Sequence, residues 1–137
     1  MVRSPAVHDR FYPGDPEELR SMVESFLGQA ESEPLPAAGI LAPHAGYVFS
    51  GEVAGKTFGA VTVPDTVLVL NPSHNYAHPK LALWTGGGWK TPLGTLALHE
   101  ELTDALSGLD GVTPKDRVHL TEHSGEVIIP FIQVSNP

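Results

Sequence analysis

The sequence predicts an α/β fold, with a mostly parallel sheet between helices in a three-layer α/β/α arrangement. The first observation behind this prediction is a pair of short apolar runs, residues 37–42 and 66–70, each with prolines close to its ends. Continuous apolar runs with little alternation are typical of strands that are covered on both faces. The second observation is a helical pattern between the runs. Strand, helix and strand make a βαβ unit, whose two strands are parallel.

The first helix is predicted to begin after Asp15 and to end near residue 30. Asp15 can cap the helix, Pro16 suits its first position, and Glu18 lies three residues after the cap. Apolar residues then recur at intervals of three and four, which places them on one face for burial against the sheet. They are Leu19, Met22, Val23, Phe26 and Leu27.

The second helix lies between the two predicted strands and is expected to start at Ser50, whose hydroxyl can cap it. Gly51, Gly55 and Gly59 lower the helix propensity of this stretch. Because they lack side chains, they also allow the helix to lie close to the sheet.

Further elements follow the βαβ unit. Residues 80–84 predict a third strand, and residues 99–109 predict a short helix that buries Leu102, Ala105, Leu106 and Leu109. Residues 122–133 fit two interpretations, because their β-branched residues favour a strand whereas Pro130 would kink a helix or restrict a strand to the sheet edge. Periodicity leaves both open.

The composition predicts one ordinary globular domain that spans residues 1–137, with 41% hydrophobic residues. Eight basic residues against 16 acidic ones give a net charge of -8, and the basic residues are scattered, which argues against a nucleic-acid partner. No run approaches the ~18 apolar residues of a membrane span, and the N-terminus has no apolar signal-peptide core. We therefore expect a cytoplasmic protein without a membrane partner.

The chain has no cysteine and seven histidines. Disulfides, thiolate metal sites and a cysteine nucleophile are therefore excluded within this sequence. Imidazole and carboxylate are the metal ligands that it offers.

His44 and His74 each follow one of the two predicted strands. The carboxyl ends of parallel strands meet at one edge of a sheet, where adjacent strands lie about 4.8 Å apart. Two imidazoles at that edge can converge on one metal ion. Taken singly, either histidine is more often a loop residue or a half-buried, hydrogen-bonded one, so both interpretations stay open at this point.

His123, in Glu122-His123-Ser124-Gly125-Glu126, is the next candidate, as a metal ligand, an acid/base or a partner of a ligand. It lies four residues after His119, so a helix would place both on one face. The competing interpretation is a solvated helix start with acidic residues at its positive end. We expect His8, His78 and His99 to be surface residues.

Five groups of residues occur in one order across nearly the whole chain. They are Arg3-Ser4-Pro5-Ala6-Val7 with Phe11-Tyr12-Pro13, Ala42-Pro43-His44-Ala45-Gly46-Tyr47 with Ser50-Gly51, Asn71-Pro72-Ser73-His74, Trp89-Lys90-Thr91-Pro92-Leu93-Gly94, and Glu122-His123-Ser124-Gly125-Glu126 with Pro130-Phe131-Ile132-Gln133. Together they resemble the Memo family, also called system protein B of the AmmeMemoRadiSam group. That family is related in fold to the class III extradiol ring-cleaving dioxygenases, which are LigB-like.

The resemblance implies that His44 and His74 match two metal-site residues of the family, at positions that hold non-haem iron(II) in extradiol dioxygenases. It implies a divalent metal ion, iron(II) first, with copper or zinc as alternatives. It also implies a small aromatic substrate or a peptide as the partner. We expect His123 to be the catalytic residue. The residues expected to contact the substrate are Tyr47, Ser73 and Glu122.

The resemblance also implies a partial domain. Memo-like proteins take a remaining ligand, commonly a cysteine, and a further histidine from their C-terminal half, and this sequence ends near the midpoint of a family member. The sequence departs from the family pattern at two places. His8-Asp9 stands where the family has a small residue followed by glycine, and Asn71 stands where it has glycine. A truncated sheet has an exposed edge, which can pair with another chain. We therefore expect a homo-oligomer or poor solubility.

Three functions are compatible with these observations. The first is a metal-dependent oxidoreductase of the dioxygenase type. The second is a binding or signalling module that receives a peptide or a partner in the same cleft without turnover. The third is a truncated domain with no activity of its own.

Overall fold

The chain forms four α-helices and five short strands within the residues that a computed structural model describes, 1–77 and 80–137. In chain order, the elements are β1 Val2–Arg3, α1 Pro16–Leu27, α2 Tyr47–Gly59, β2 Leu81–Leu83, β3 Gly88–Thr91, β4 Gly94–Ala97, α3 Glu100–Ser107, β5 Val112–Pro114 and α4 Ile129–Ser135. Helices combined with parallel and antiparallel strand pairs make an α/β fold, as the sequence predicts. His78, expected at the surface, lies outside the described residues.

Helix α1 begins where the sequence predicts. The Asp15 carboxylate accepts hydrogen bonds from the backbone N–H groups of Glu17 and Glu18, at 3.0 and 2.9 Å, and so caps the first turn. Leu19 and Val23, on the predicted apolar face, are fully buried. That face packs mainly against α2 and α4, so the expected burial against a sheet is replaced by helix packing.

Helix α2 begins at Tyr47, one turn earlier than predicted. Ser50 therefore lies inside the first turn, where its hydroxyl donates to the carbonyl of Ala45 at 3.2 Å, and its predicted capping role is wrong. The helix lies close to α1 and not to a sheet. A Cβ atom at Gly55 would lie 2.3 Å from the Cβ of Phe26 and 2.6 Å from its backbone carbonyl carbon, so only glycine fits there.

Residues 37–42 and 66–70 were predicted as buried parallel strands, and that prediction is wrong. Neither run belongs to a ladder among the described residues, and Leu41 and Leu70 are 94% and 76% exposed. The segments that lead into the two runs touch at one point, because Leu35 and Val61 form an isolated parallel bridge. A strand needs a neighbour for its backbone hydrogen bonds, and an apolar pattern reports only the tendency to be buried.

Two small sheets are described. β1 pairs in parallel with β3, and β3 forms an antiparallel hairpin with β4. Gly94, which follows the turn of the hairpin, has a φ of 123° that favours glycine. The second sheet pairs β2 in parallel with β5, and β2 confirms the third predicted strand.

The two C-terminal helical segments differ in how far the sequence predicts them. α3 lies within the predicted range, but Ala105 and Leu109 are exposed and Thr103 is the buried residue of the helix, so the predicted apolar face is wrong in part. Residues 122–133, which the sequence left open, are helical: a 3₁₀ turn at Glu126–Ile128 leads into α4. Pro130 lies in the first turn of α4, where the missing N–H costs no hydrogen bond.

The core lies between α1, α2 and α4. Its central ring is Phe131, which is fully buried, stacks on Phe58 at 5.5 Å and contacts Tyr47 at 5.1 Å. The other buried residues of this cluster are Val7, Tyr12, Leu19, Val23, Ala54, Val63, Val127 and Ile132. No helix among the described residues has both the length and the apolar character needed to cross a membrane.

Candidate metal centre

Three loops bring three histidines together at one end of the molecule. His44 lies just before α2, His74 follows the 66–70 run, and His123 precedes the 3₁₀ turn that leads into α4. The N-terminal loop supports this arrangement, because the backbone carbonyl of Phe11 accepts the N–H of Tyr47 at 2.7 Å. The Phe11 ring also packs against His123, with centroids 4.9 Å apart.

The three imidazoles lie close enough to share one ion. Ring centroids are 5.5 Å apart for His44 and His74, 5.9 Å for His44 and His123, and 4.5 Å for His74 and His123, whose rings are stacked. One ligand nitrogen from each ring lies within 4.8 Å of the other two. The sequence predicted that His44 and His74 would meet and named His123 as a further candidate ligand, and the structure brings the three together.

This donor set fits a transition-metal ion. Nitrogen ligands at about 2.1 Å from a common ion lie roughly 3.0–3.5 Å apart, so small ring rotations would bring the three atoms to that spacing. Neutral imidazole suits iron, zinc, copper and nickel. The His74 side chain is 43% exposed, which leaves the cluster open on one side. The histidine group could therefore hold a metal ion.

A buried carboxylate stands behind His74. Glu122 is only 1% exposed, and its Oε1 atom lies 2.8 Å from Nδ1 of His74. Its Oε2 atom accepts the backbone N–H of the same histidine at 2.5 Å. Burial raises the pKa of Glu122, but hydrogen bonds from Ser124 and His74 outweigh it and bring the pKa to about 2. The side chain is therefore a carboxylate at neutral pH.

Ser124 fixes the position of this carboxylate. Its backbone N–H donates to Oε1 of Glu122 at 3.0 Å, and its hydroxyl lies 2.8 Å from the same oxygen and 3.0 Å from the carbonyl of Pro72. The hydroxyl oxygen also accepts a hydrogen bond from Nδ2 of Asn71 at 2.9 Å. The loop that carries His74 is thus held directly against the loop that carries His123.

His123 itself is mostly enclosed, with 22% of its side chain exposed. Burial lowers its pKa, and the neighbouring His74 and His44 lower it further, although Glu122 opposes them. A lowered pKa keeps the ring neutral at physiological pH, the state in which imidazole can bind a metal ion or accept a proton.

The expected substrate residues occupy different surroundings. Tyr47 is 3% exposed and donates its hydroxyl to the carbonyl of Val127 at 2.8 Å, which are the contacts of a core residue. Ser73 is exposed and donates to the carbonyl of Tyr76 at 2.7 Å. Glu122 is enclosed behind His74, as described above. Their contact with a substrate stays a prediction.

The other histidines that the structure describes, His8, His99 and His119, lie outside the cluster. His119 does not share a helix face with His123, because it ends a 3₁₀ turn and packs between Trp84 and Trp89, with centroids 6.2 and 6.1 Å away. His8 and His99 are exposed, as expected, and His99 caps α3 through Nδ1.

Sequence reasoning missed the residues that hold the histidine loops in place. Ser124 and Asn71 belong to the quoted motifs, but their hydrogen bond joins positions far apart in the chain, and no local pattern marks it. The same holds for Arg3, which donates from Nη2 to the carbonyl of Glu122 at 2.8 Å and from Nε to that of His119 at 2.7 Å. The available signal was Arg3 itself, because an arginine in an N-terminal strand that packs on the core must find acceptors there.

Comparisons with known proteins give one consistent result. A family model described as Memo-like protein matches residues 3–137. The chain is 42% identical to a MEMO1 family protein of Methanopyrus kandleri, covering 97% of this chain and 52% of that protein. It is 44% identical to one of Thermococcus onnurineus, over 97% of this chain and 47% of the relative, and 36% identical to one of Aquifex aeolicus, over 96% and 49%. The chain therefore spans about half the length of these relatives.

Proposed function

The chain belongs to the Memo family, and we propose that it is a metal-dependent protein of the oxidoreductase type, with a divalent ion bound by His44, His74 and His123. The observation that carries this proposal is the mutual approach of three imidazole nitrogens to within 4.8 Å. His44 and His74 are the two positions at which the resemblance implies metal binding. His123 supplies the third nitrogen available in this chain.

Iron(II) is the proposed ion. The resemblance to extradiol dioxygenases favours it, while an all-nitrogen donor set also suits zinc and copper, so these metals are the competing outcomes. When bound, iron(II) supplies a Lewis acid and an electron donor. The residues have simpler tasks: the three rings hold the ion, and Phe11 covers one side of His123, which limits the approach of water. The exposed side of His74 is the entry for a small aromatic substrate.

Anaerobic titration calorimetry with iron(II) tests the binding. We expect His44→Ala, His74→Ala and His123→Ala each to weaken the affinity at least about tenfold, which corresponds to about 1.4 kcal/mol. His99→Asn is the matched control, because His99 lies outside the cluster and asparagine keeps its helix cap. Equal affinity of the wild type, His44→Ala and His74→Ala would remove the site. Loss of affinity in these two but not in His123→Ala would make His123 an acid/base and not a ligand.

Oxygen uptake tests the reaction class separately. We expect the iron-loaded protein to consume oxygen in the presence of a catechol, and His74→Ala to lose that uptake. Because the chain spans about half of its relatives, the same assay is run on one of the longer relatives carrying the equivalent substitution. Iron binding without oxygen uptake in either protein would leave a metal-binding protein and would overturn the oxidoreductase part of the proposal.

A further inference from the structure

We propose that Glu122 is a positioning residue, which holds His74 in the tautomer with its proton on Nδ1 and thereby presents Nε2 to the metal ion. The role of Nε2 rests on the proposed function. The tautomer itself does not, because it is a property of the metal-free protein. The sequence suggested that Glu122 contacts the substrate. Its buried position behind His74 fits a role in orienting that histidine.

The geometry points to this tautomer. Oε1 of Glu122 lies 2.8 Å from Nδ1 of His74, a normal hydrogen-bond length. The same carboxylate already accepts the backbone N–H groups of Ser124 and His74. An ionised carboxylate can only accept hydrogen bonds, so the shared proton must belong to Nδ1. In a neutral imidazole the lone pair then lies on Nε2, the atom left for a metal ion.

The carboxylate is itself buried and held by several hydrogen bonds, so it can act as a fixed acceptor for His74. Its side chain is 1% exposed, and the backbone carbonyl of the same residue accepts a hydrogen bond from Arg3 at 2.8 Å. Ser124 contacts Oε1 through both its N–H group and its hydroxyl. His74 by contrast is 43% exposed, so its ring would otherwise be free to rotate. Glu122 thus fixes the one cluster ring that solvent reaches most easily.

A ligand histidine whose second nitrogen donates to a carboxylate is a recurrent arrangement in metal sites, and loss of the carboxylate typically weakens metal binding about 10–100-fold. Glu122→Gln is the informative substitution. Glutamine keeps one oxygen, and its NH₂ group must face at least one N–H group that now donates to the carboxylate: the backbone N–H of His74 if NH₂ replaces Oε2, or Nδ1–H of His74 and the backbone N–H of Ser124 if it replaces Oε1. Either placement removes at least one of the two hydrogen bonds that orient His74.

The test reads the tautomer of His74 by ¹⁵N NMR in metal-free protein at a pH at which the imidazoles are neutral. We expect the Nδ1–H form in the wild type and a shift toward the Nε2–H form in Glu122→Gln. Calorimetry on the same samples should show a loss of metal affinity of about 10–100-fold. Glu101→Gln, which makes the same change of charge on the exposed side of α3, should leave both measurements unchanged.

Each outcome decides something. If NMR finds the Nε2–H tautomer in the wild type, the inference is overturned. This result needs no variant, so it holds even if Glu122→Gln fails to fold. An unchanged tautomer together with unchanged affinity in a folded Glu122→Gln also overturns it. The Nδ1–H tautomer in a wild-type protein that binds no metal would uphold the positioning of His74 and overturn the proposed function instead.

Discussion

Arg3 and Glu126, which lie 123 positions apart, form an ion pair of 2.6 Å in which neither side chain is exposed. Glu126 also accepts the backbone N–H groups of Ala6 and Val7 and the hydroxyl of Tyr12. The guanidinium of Arg3 lies over the Trp89 ring at 4.2 Å. One buried carboxylate thus ties the N-terminal loop to the segment that carries the candidate metal centre.

Glu126→Leu is expected to lower the free energy of unfolding by about 3–5 kcal/mol, because it leaves the Arg3 charge buried without its partner. The double variant Arg3→Met with Glu126→Leu should recover part of that loss, since neither charge then stays unpaired. Urea unfolding of the two variants and the wild type measures both. A double variant that is less stable than Glu126→Leu would show that the other hydrogen bonds of Arg3 outweigh the ion pair.

Gly55→Ala is expected to destabilise the protein by roughly 1–3 kcal/mol, because the new methyl group would overlap the Phe26 backbone of α1. This outweighs the gain in helix propensity, which is about 1 kcal/mol. Gly39→Ala is the control, since no atom lies within 4 Å of its Cβ position. Thermal unfolding should separate the two. Equal melting temperatures would mean that α1 and α2 can move apart at little cost.

Tyr47→Phe is expected to cost about 1–3 kcal/mol, because the buried carbonyl of Val127 loses its donor. The ring contacts with the core stay, so the affinity of the cluster for metal should change less than about twofold, well under the 1.4 kcal/mol of a tenfold change. Chemical unfolding measures the change in stability, and calorimetry measures the metal affinity. Unchanged stability with impaired turnover would return Tyr47 to the substrate role that the sequence suggested.

His119 should make stability depend on pH. Burial lowers its pKa, although its hydrogen bond to the carbonyl of Ala82 opposes the shift. The unfolded chain therefore takes up this proton first, near the ordinary pKa of about 6.5, and the folded state loses stability as the pH falls below that value. Above it, the contribution of His119 is constant. His119→Phe should lose less stability than the wild type between neutral and mildly acidic pH, as measured by urea unfolding. If the free energies of unfolding of the wild type and His119→Phe changed equally with pH, His119 would not be the source of the pH dependence.

Self-association is expected from the apolar surface around the two extended runs. Leu41, Val48, Phe49 and Leu70 are between 76% and 94% exposed. Large apolar side chains that are exposed to water favour association with another chain. Light scattering should show oligomers for the wild type, and Leu41→Asp with Phe49→Asp should reduce them. Leu109→Asp, at a 55% exposed position on α3's C-terminal side, is the control. A wild-type monomer at high concentration would contradict this expectation.

Local signals predicted part of the fold well. The Asp15 cap, the proline that follows it and the apolar spacing of α1 all act within a few residues, and the helix begins where they indicate. Residues 66–70 carry an equally clear pattern but form no ladder among the described residues. Their hydrogen-bond partners would have to come from elsewhere, and the composition of a run cannot supply a neighbour.

The candidate metal centre was likewise predictable from the sequence only in part. His44 and His74 lie near one another as the sequence predicts, with ring centroids 5.5 Å apart, although the two predicted strands do not form and only an isolated bridge joins Leu35 to Val61. The place of Glu122 could not be derived, since its contact with His74 depends on a loop closed by Ser124 and Asn71. Hydrogen bonds between distant loops leave no periodic trace in a sequence.

The contacts of Arg3 with residues 119–126 set an order in which the parts of the histidine cluster can assemble during synthesis. The ribosome releases the N-terminal part first, and contacts between distant positions are slow to form. Arg3 must wait for Glu122 and Glu126 to emerge before it can bind them. His44 and His74 are therefore synthesised well before the segment that carries Glu122 and His123, so the three-histidine cluster can form only after that segment has emerged.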